Sequence, residues 1–224
     1  MPTLPSDDAL ATVFVVDDDA AVRAALQDLL ESVGLQVHGF GSTVDFVQHW
    51  QAHPLSGPAC LVLDIRMPGQ SGLDFQRAMA QWGVALPVIF VTGHGDVPMS
   101  VQAMKHGALD FLTKPFREQE LLDAIQQAIA LHRTQRAQAQ EAQAVQQRWA
   151  LLTPGEQAVV QGVVAGQLNK QIAGDLGVSE ITVKVRRAQA MRKLQVRAVA
   201  DLVRLWDRVQ SRTREAPQTQ DPSH

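Results

Sequence analysis

The stretch "VFVVDDDAAVR", residues 13–23, combines an apolar run with a cluster of acids. Its opening apolar residues are typical of a strand that is buried on both faces. They lead directly into three carboxylates, Asp17, Asp18 and Asp19. Carboxylates this close repel one another, and burying them without a partner is costly. We therefore expect a cation to lie opposite these acids.

Further strand-like and helix-like runs follow this stretch in alternation. Five strands separated by helices indicate a doubly wound parallel sheet, for which we expect the order 2-1-3-4-5. Ligands of such sheets bind beyond the carboxyl ends of the strands. The predicted strands cover residues 12–16, 36–40, 60–63, 88–91 and 111–112, and the predicted helices cover residues 20–33, 42–50, 73–82 and 97–106.

Composition limits the classes of protein to which the chain can belong. Its 224 residues suit two modest domains. No run approaches the roughly 18 apolar residues that a membrane helix needs, and the N-terminus lacks the pattern of a signal peptide. The single Cys60 excludes an internal disulfide and a cysteine zinc site. We expect a soluble, cytoplasmic protein with no membrane partner.

Charge divides the chain into unequal parts. Residues 1–116 carry 5 Lys+Arg and 12 Asp+Glu, residues 117–148 carry 4 of each, and residues 149–224 carry 11 and 7. An acidic part joined to a basic part indicates two tasks, and nucleic acid is a candidate partner of the basic one. The middle segment has no Gly or Pro, which favours one long linker helix over residues 117–148. A helix followed by a disordered linker is the alternative.

Polar residues at the predicted strand ends indicate a phosphoryl site. Asp64 ends the third strand, next to Asp17 and Asp18 after the first. Mg²⁺ prefers such oxygen ligands, so we expect this ion to be the cation. Thr92 at the end of the fourth strand offers a hydroxyl, and Lys114 after the fifth offers a positive charge. Such a set suits phosphoryl transfer, where positioning and charge neutralisation do most of the chemistry.

Residues 12–130 resemble a response-regulator receiver domain through "VVDD", "LDIRMPGQSG", "VTGHGDVPM" and "LTKPF". The resemblance implies a flavodoxin-like or CheY-like fold with Asp64 as the phosphoacceptor. It also implies a cis Lys114–Pro115 bond. Asp19 is expected to be a solvated acid in the first turn of a helix. The remaining implied roles are Mg²⁺ binding by Asp17 (through water), Asp18, Asp64 and the backbone carbonyl of Arg66, switching by Thr92 and Phe111, and phosphoryl binding by Lys114.

The basic part is predicted to contain four short helices, the last over residues 199–209. Thr153 and Glu156 form a capping box at the first, and Ser179 caps the third. The third helix holds five cations and follows a short helix and the tight turn "LGVS". This is the helix-turn-helix arrangement, whose second helix enters the major groove of DNA. A solvated basic helix face is the alternative.

Residues 151–205 resemble a LuxR-type DNA-binding domain through "LTPGEQAVV", "GQLNKQIAGDLGVSEITVKV" and "MRKL". The whole layout resembles the FixJ/NarL class of response regulators, and StyR-type regulators in particular. Two residues depart from the family pattern: Gly155 replaces the usual Arg, and Arg186 the usual His. The resemblance implies that Lys184, Val185 and Ala188 face base edges, and that Asn169, Lys170, Thr182 and Arg187 lie at or near phosphates.

These observations predict a phosphorylation-dependent transcriptional regulator without enzymatic turnover. A histidine kinase would phosphorylate Asp64, and a homodimer would read a two-fold promoter site, with RNA polymerase as a further candidate partner. One alternative is a Mg²⁺-dependent phosphohydrolase that uses Asp17 and Asp19; another is a protein-interaction output without DNA binding. The expected segments are a flexible N-terminus (1–10), a receiver domain (11–130), the linker helix (117–148), a helix-turn-helix domain (149–210) and a disordered tail (211–224).

Overall fold

The computed structural model describes residues 10–93 and 97–206, except for the side chain of Val97. The chain forms two compact units, which divide between Arg136 and Ala137. The first unit is a parallel sheet with helices on both faces, and the second is helical. Most of the predicted flexible N-terminus and all of the predicted disordered tail lie outside the described residues. No helix within the described ranges is long and apolar enough to cross a membrane.

The sheet has the predicted strand order. All pairings are parallel, in the order β2-β1-β3-β4-β5. The three inner strands are buried at every residue and are apolar except at Thr12, Asp64 and Thr92, whereas both edge strands are partly exposed. The strands are β1 (Thr12–Val16), β2 (Gln36–Phe40), β3 (Ala59–Asp64), β4 (Val88–Thr92) and β5 (Asp110–Thr113).

Side chains alternate between the two faces of the sheet and create two hydrophobic cores. Phe14 and Val16 of β1 contribute to a core on one face, which is rich in phenylalanine. Val13 and Val15 contribute to the core on the other face. This alternation has the two-residue period of a strand, so an uninterrupted apolar run supplies both cores.

Four helices connect the strands within the first unit. The predicted helix over residues 73–82 is divided, because its last turn, Met79–Trp82, is a 3₁₀-helix. Gly83 follows it in the left-handed conformation, with φ 67°. Such tightening is common where a helix ends and its last carbonyls lack partners. The helices are α1 (Ala20–Ser32), α2 (Thr43–Ala52), α3 (Gly72–Ala78) and α4 (Val97–Lys105).

The fifth helix is the long helix that the sequence predicts. Helix α5 (Glu118–Ala150) is continuous over 33 residues, and its first turns pack against the sheet. Further along α5, the Nδ1 atom of buried His132 accepts a hydrogen bond from the N–H of Ala59 at 2.8 Å. The Arg136 guanidinium donates to the carbonyls of Leu55 and Ser56 at 3.3 and 3.0 Å. These bonds attach α5 to the segment that enters β3.

The second unit is a small helical domain. The predicted capping box between Thr153 and Glu156 is present. Residues 199–206 are helical as predicted, and residues 207–209 of that predicted helix lie outside the described part of the chain. The core includes Val159, Ile172, Val183, Leu194 and Leu202. The other helices of this unit are α6 (Pro154–Val164), α7 (Asn169–Leu176) and α8 (Glu180–Lys193).

Candidate functional site

The carboxyl ends of four strands bring the predicted phosphoryl-site residues to one edge of the sheet. Parallel register aligns the end of β1 with β3, the end of β3 with β4, and Thr92 of β4 with Thr113 of β5. The backbone N–H of Lys114 donates to the carbonyl of Thr92 at 2.8 Å, which places Lys114 just beyond β5. The Lys114–Pro115 bond is cis, as the resemblance implies.

Three carboxylates converge at this edge. Asp17, Asp18 and Asp64 each offer an oxygen, and these oxygens lie within 4.8 Å of one another. Asp17 and Asp64 are buried, whereas Asp18 is exposed. Hard oxygen donors around one point, with one side open to solvent, fit a divalent cation such as Mg²⁺. We call these three residues the acidic cluster.

The electrostatics of Asp64 reflect this crowding. Burial raises the pKa of its carboxyl, and the charge of Asp17 raises it further. The Lys114 ammonium and the backbone N–H groups of Ile65 and Arg66 lower the pKa of Asp64, but the net direction is upward. Asp64 therefore binds a proton more tightly than an exposed aspartate does, chiefly because its carboxyl is buried.

Lys114 contacts the carboxylates of the acidic cluster. Its Nζ atom lies 2.6 Å from Oδ2 of Asp17 and 3.9 Å from Oδ2 of Asp64. The other oxygen of Asp17, Oδ1, accepts the N–H of Asp19 at 2.9 Å. Both oxygens of Asp17 are thus engaged, and Lys114 lies within reach of Asp64.

Asp19 has a different role from the one predicted. Asp19 is exposed to solvent as predicted, but it is the N-cap residue of α1 and does not lie in the first turn. Its Oδ1 atom accepts the N–H groups of Ala21 and Val22 at 2.8 and 3.3 Å. The first N–H groups of a helix have no acceptor within the helix, and an N-cap aspartate supplies one. The first-turn assignment was therefore wrong by one residue.

Gly72 is a positioning residue that the sequence did not reveal. Its N–H donates to the carbonyl of Ile65 at 2.9 Å, and a Cβ atom at this position would overlap the carbonyl oxygen of Asp64. Any other residue would push the start of α3 away from the end of β3. The signal available in the sequence was a glycine directly after Ser71, the residue that caps α3.

The remaining predicted receiver residues lie on β4, on β5 and directly after β3. Thr92 is buried at the end of β4. Phe111 is half-buried and packs against the phenylalanine-rich core. Arg66 is exposed, and its N–H donates to Oδ1 of Asp64 at 3.3 Å. The implied role of the Arg66 carbonyl as a metal ligand stays a prediction.

Helix α8 of the second unit has one buried face and one exposed face. Val183 and Ala190 are fully buried in the core. Helical spacing places five exposed residues on the opposite side, which we call the outward face of α8. Gly177 in the left-handed conformation ends α7, and Ser179 caps α8 two residues later. The outward face consists of Ile181, Lys184, Val185, Ala188 and Arg192.

The predicted DNA contacts divide between this face and its border. Lys184, Val185 and Ala188 belong to the outward face, and Lys170 on α7 is exposed. Asn169, Thr182 and Arg187 are half-buried; Nη1 of Arg187 donates to Oδ1 of Asn169 at 3.3 Å, and the hydroxyls of Thr182 and Ser179 lie 2.9 Å apart. The sequence prediction omitted Ile181 and Arg192, although their spacing from Ala188 was the available signal.

The two departures from the LuxR-type pattern meet in space. A Cβ atom on Gly155 would lie 2.9 Å from both Cζ and Nη1 of Arg186. The guanidinium of Arg186 thus lies against Gly155, and a side chain at residue 155 would collide with it. Gly155 and Arg186 form one structural feature at the start of α6.

An ion pair between buried Glu156 and partly exposed Lys193 also connects α6 to the end of α8. Oε2 of Glu156 accepts bonds from Nζ of Lys193 and the N–H of Thr153, each at 2.7 Å. Burial alone would raise the pKa of Glu156, but these bonds and the charge of Lys193 lower it overall. Glu156 therefore stays ionised inside the domain and fixes α8 against α6.

Comparison with known proteins matches the two units separately and together. Residues 13–126 match the family described as "Response regulator receiver domain", and residues 150–206 match "Bacterial regulatory proteins, luxR family". Nodulation protein W of Bradyrhizobium diazoefficiens is 46% identical over 210 residues, which cover 94% of this chain and 91% of that protein. Response regulator protein TodT of Pseudomonas putida is 45% identical over 202 residues, which cover 90% of this chain and 88% of TodT.

Solved structures resemble this chain over both units. The structure of the response regulator StyR covers 89% of this chain and 99% of its own, with 48% identity and a TM-score of 0.78. Full-length FixJ from B. japonicum covers 89% of this chain and 97% of its own, with 39% identity and a TM-score of 0.53.

Proposed function

Because this chain belongs to the response regulators in which a receiver domain precedes a LuxR-type DNA-binding domain, we propose that Asp64 accepts a phosphoryl group from a sensor histidine kinase. Phosphorylation of Asp64 then controls binding of α8 to promoter DNA. The acidic cluster with Lys114 beside it carries this proposal. Asp64 is the member of the cluster that ends a central strand, with Lys114 on one side and the Arg66 N–H on the other.

The chemical step is transfer of a phosphoryl group between two side chains. An oxygen of Asp64 forms the new P–O bond as the P–N bond to the kinase histidine breaks. The electron pair of that bond returns to the imidazole nitrogen, which takes up a proton. Lys114 places positive charge where the transferred phosphoryl oxygens arrive, and charge placed in advance is the main form of catalysis in such transfers.

The donor set suits Mg²⁺. Asp18, Asp64 and the backbone carbonyl of Arg66 would hold the ion directly, and Asp17 would do so through water. The bound ion supplies further charge neutralisation for phosphoryl transfer. The residues of the chain supply the rest: they orient the Asp64 carboxylate through the Arg66 N–H and keep Lys114 within reach.

The phosphorylated state differs from the resting state in local charge. Phosphorylation replaces the single charge of the Asp64 carboxylate with the larger negative charge and the strong acceptor oxygens of a phosphoryl group. Lys114 moves from Asp17 towards these oxygens, the Thr92 hydroxyl turns towards them, and Phe111 fills the space that Thr92 leaves. This change shifts an existing equilibrium between two surfaces of the receiver domain.

The output of the switch is recognition of DNA. Helix α8 enters the major groove, where Lys184, Val185 and Ala188 face base edges. The active protein is a homodimer on a two-fold promoter site in the cytoplasm, and RNA polymerase is a further partner. The chain does not turn over a substrate as an enzyme does. The contacts at or near phosphates come from Asn169, Lys170, Thr182 and Arg187.

Labelling by a small phosphodonor tests the phosphoacceptor directly. Acetyl phosphate with Mg²⁺ should label the wild type and the control Asp28→Asn, which changes an exposed aspartate on α1 outside the acidic cluster. Asp64→Asn should remain unlabelled while retaining its fold by circular dichroism, and EDTA should prevent labelling of the wild type. A stable acyl phosphate on Asp64→Asn would refute the assignment.

A further inference from the structure

The outward face of α8 combines large apolar side chains with cations. Ile181 is 74% exposed and Val185 is 50% exposed, although both are β-branched aliphatic residues. Single exposed aliphatic residues are ordinary on protein surfaces. These two lie one helical turn apart on the same face, directly opposite Val183 and Ala190, which are fully buried. Two adjacent aliphatic side chains on the solvent face of one helix indicate a surface that binds a ligand.

Charge identifies the class of ligand. Lys184 lies beside the aliphatic pair, and Arg192 lies about two turns further along the outward face. The only acid of α8, Glu180, is its first residue. Residues 149–224 carry an excess of four positive charges. A polyanion with an apolar feature fits this surface, and the proposed function supplies duplex DNA as that polyanion.

The major groove presents one apolar group that distinguishes base pairs, the C5-methyl group of thymine. An aliphatic side chain in the major groove therefore distinguishes base pairs through contact with thymine methyl groups. We infer that Ile181, together with Val185, packs against thymine methyl groups beside the bases that Lys184 reads. This inference rests on the proposed DNA-binding function and adds Ile181 as a specificity-determining residue.

A double-mutant cycle between protein and DNA tests the contact. Duplexes selected by the wild-type protein from a random pool serve as the binding site, and each thymine is replaced in turn by deoxyuridine, which removes only the methyl group. The wild type should bind roughly four-fold more weakly when a contacted thymine is replaced, as expected for one buried methyl group. Ile181→Ala should bind the selected duplex more weakly and show no further loss at that thymine.

The matched control is Leu151→Ala. Leu151 is 65% exposed in the same unit but lies outside α8, so its substitution removes a comparable aliphatic side chain away from the groove. This variant should keep the full sensitivity to deoxyuridine. Thermal melting should show that both variants fold as the wild type does.

The outcomes separate this inference from the proposed function. If selection yields no duplex that the wild type prefers to random DNA, sequence-specific DNA binding fails and the inference fails with it. If the wild type prefers its selected duplex but tolerates deoxyuridine at every thymine, DNA binding stands and the methyl contact is wrong. Equal deoxyuridine sensitivity in Ile181→Ala and the wild type would equally exclude Ile181 as the reader.

Discussion

Lys114 lies closer to Asp17 than to Asp64: its Nζ atom is 2.6 Å from Oδ2 of Asp17 and 3.9 Å from Oδ2 of Asp64. The lysine is therefore engaged by the acid that is not the proposed phosphoacceptor, and Asp64 retains a raised pKa from burial. A phosphoryl group on Asp64 would offer Lys114 a stronger partner than Asp17. We therefore expect Lys114 to move from Asp17 to the phosphoryl group when Asp64 is phosphorylated.

Removal of the Lys114 charge should slow phosphorylation of Asp64. In Lys114→Met the pKa of Asp64 should rise further, because the ammonium is one of the groups that lower it. The variant also lacks the positive charge that stabilises the incoming phosphoryl oxygens. We therefore expect the rate of labelling at neutral pH to fall at least about ten-fold. Lys105→Met changes an exposed lysine on α4 and is the control. Equal labelling rates in both variants would show that Lys114 has no such role.

His132 should make the first unit less stable in mild acid. Burial lowers the pKa of His132, and the charge of Arg136 lowers it further, so the folded state binds the proton more weakly than the unfolded state. The contribution of His132 to the free energy of unfolding is complete above the pKa of an unfolded histidine, about 6.5. This contribution is lost as the pH falls below that value. Urea unfolding of the full chain at pH 7.5 and 5.5 measures this loss.

Substitution of His132 isolates its share of the pH dependence. His132→Asn should show a smaller loss of stability between the two pH values than the wild type, because the group that must stay neutral to accept the Ala59 N–H is gone. His106→Asn replaces an exposed histidine and should retain the wild-type loss. The same loss in all three proteins would mean that His132 does not titrate as described.

Gly155 and Arg186 should be energetically coupled. Gly155→Ala replaces a glycine in the first turn of α6, which should stabilise the helix by up to about 1 kcal/mol. In the wild-type background the new Cβ atom meets the Arg186 guanidinium and displaces it. The stabilisation should therefore be larger in the Arg186→Ala background. Free energies of unfolding of the four proteins measure the coupling, and additive effects would argue against it.

Lys184 and Lys170 should affect DNA binding in different ways. Lys184→Ala should reduce the preference for the selected duplex over random DNA by about 1–3 kcal/mol, since a lysine that donates to guanine discriminates between bases. Lys170→Ala should weaken both complexes equally and lower the salt slope by about one, as loss of a phosphate contact does. Lys170 is a better test than Arg187, which is bonded to Asn169 within the domain. Equal weakening of both complexes by Lys184→Ala would place that lysine outside the groove.

The sheet was predictable because its inner strands are apolar and its functional residues follow them. Once the strand order is known, parallel strands bring Asp17, Asp64, Thr92 and Lys114 to one edge without further information. The role of Asp19 was not predictable, since the difference between an N-cap and a first-turn residue is one position in the start of a helix. The same holds for the 3₁₀ turn before Gly83, which depends on how the helix end packs.

Contacts between segments far apart in the chain could not be predicted from the sequence. The partner of His132 is Ala59, 73 residues away, and neither residue carries a local signal for the other. Gly155 and Arg186 were each noticed as departures from a pattern, but their contact depends on the packing of α6 against α8. The Nζ atom of Lys114 is likewise closer to Asp17 than to Asp64 by only about one ångström. No sequence pattern distinguishes two neighbouring carboxylates at that scale.

We propose above that phosphorylation of Asp64 controls DNA binding. The most direct measurement is the affinity of the full chain for its selected duplex with and without acetyl phosphate and Mg²⁺, in the wild type and in Asp64→Asn. We predict that the phosphodonor raises the affinity of the wild type and leaves that of Asp64→Asn unchanged. An equal rise in both proteins, or no change in a wild type that is demonstrably labelled, would show that phosphorylation of Asp64 does not control DNA binding.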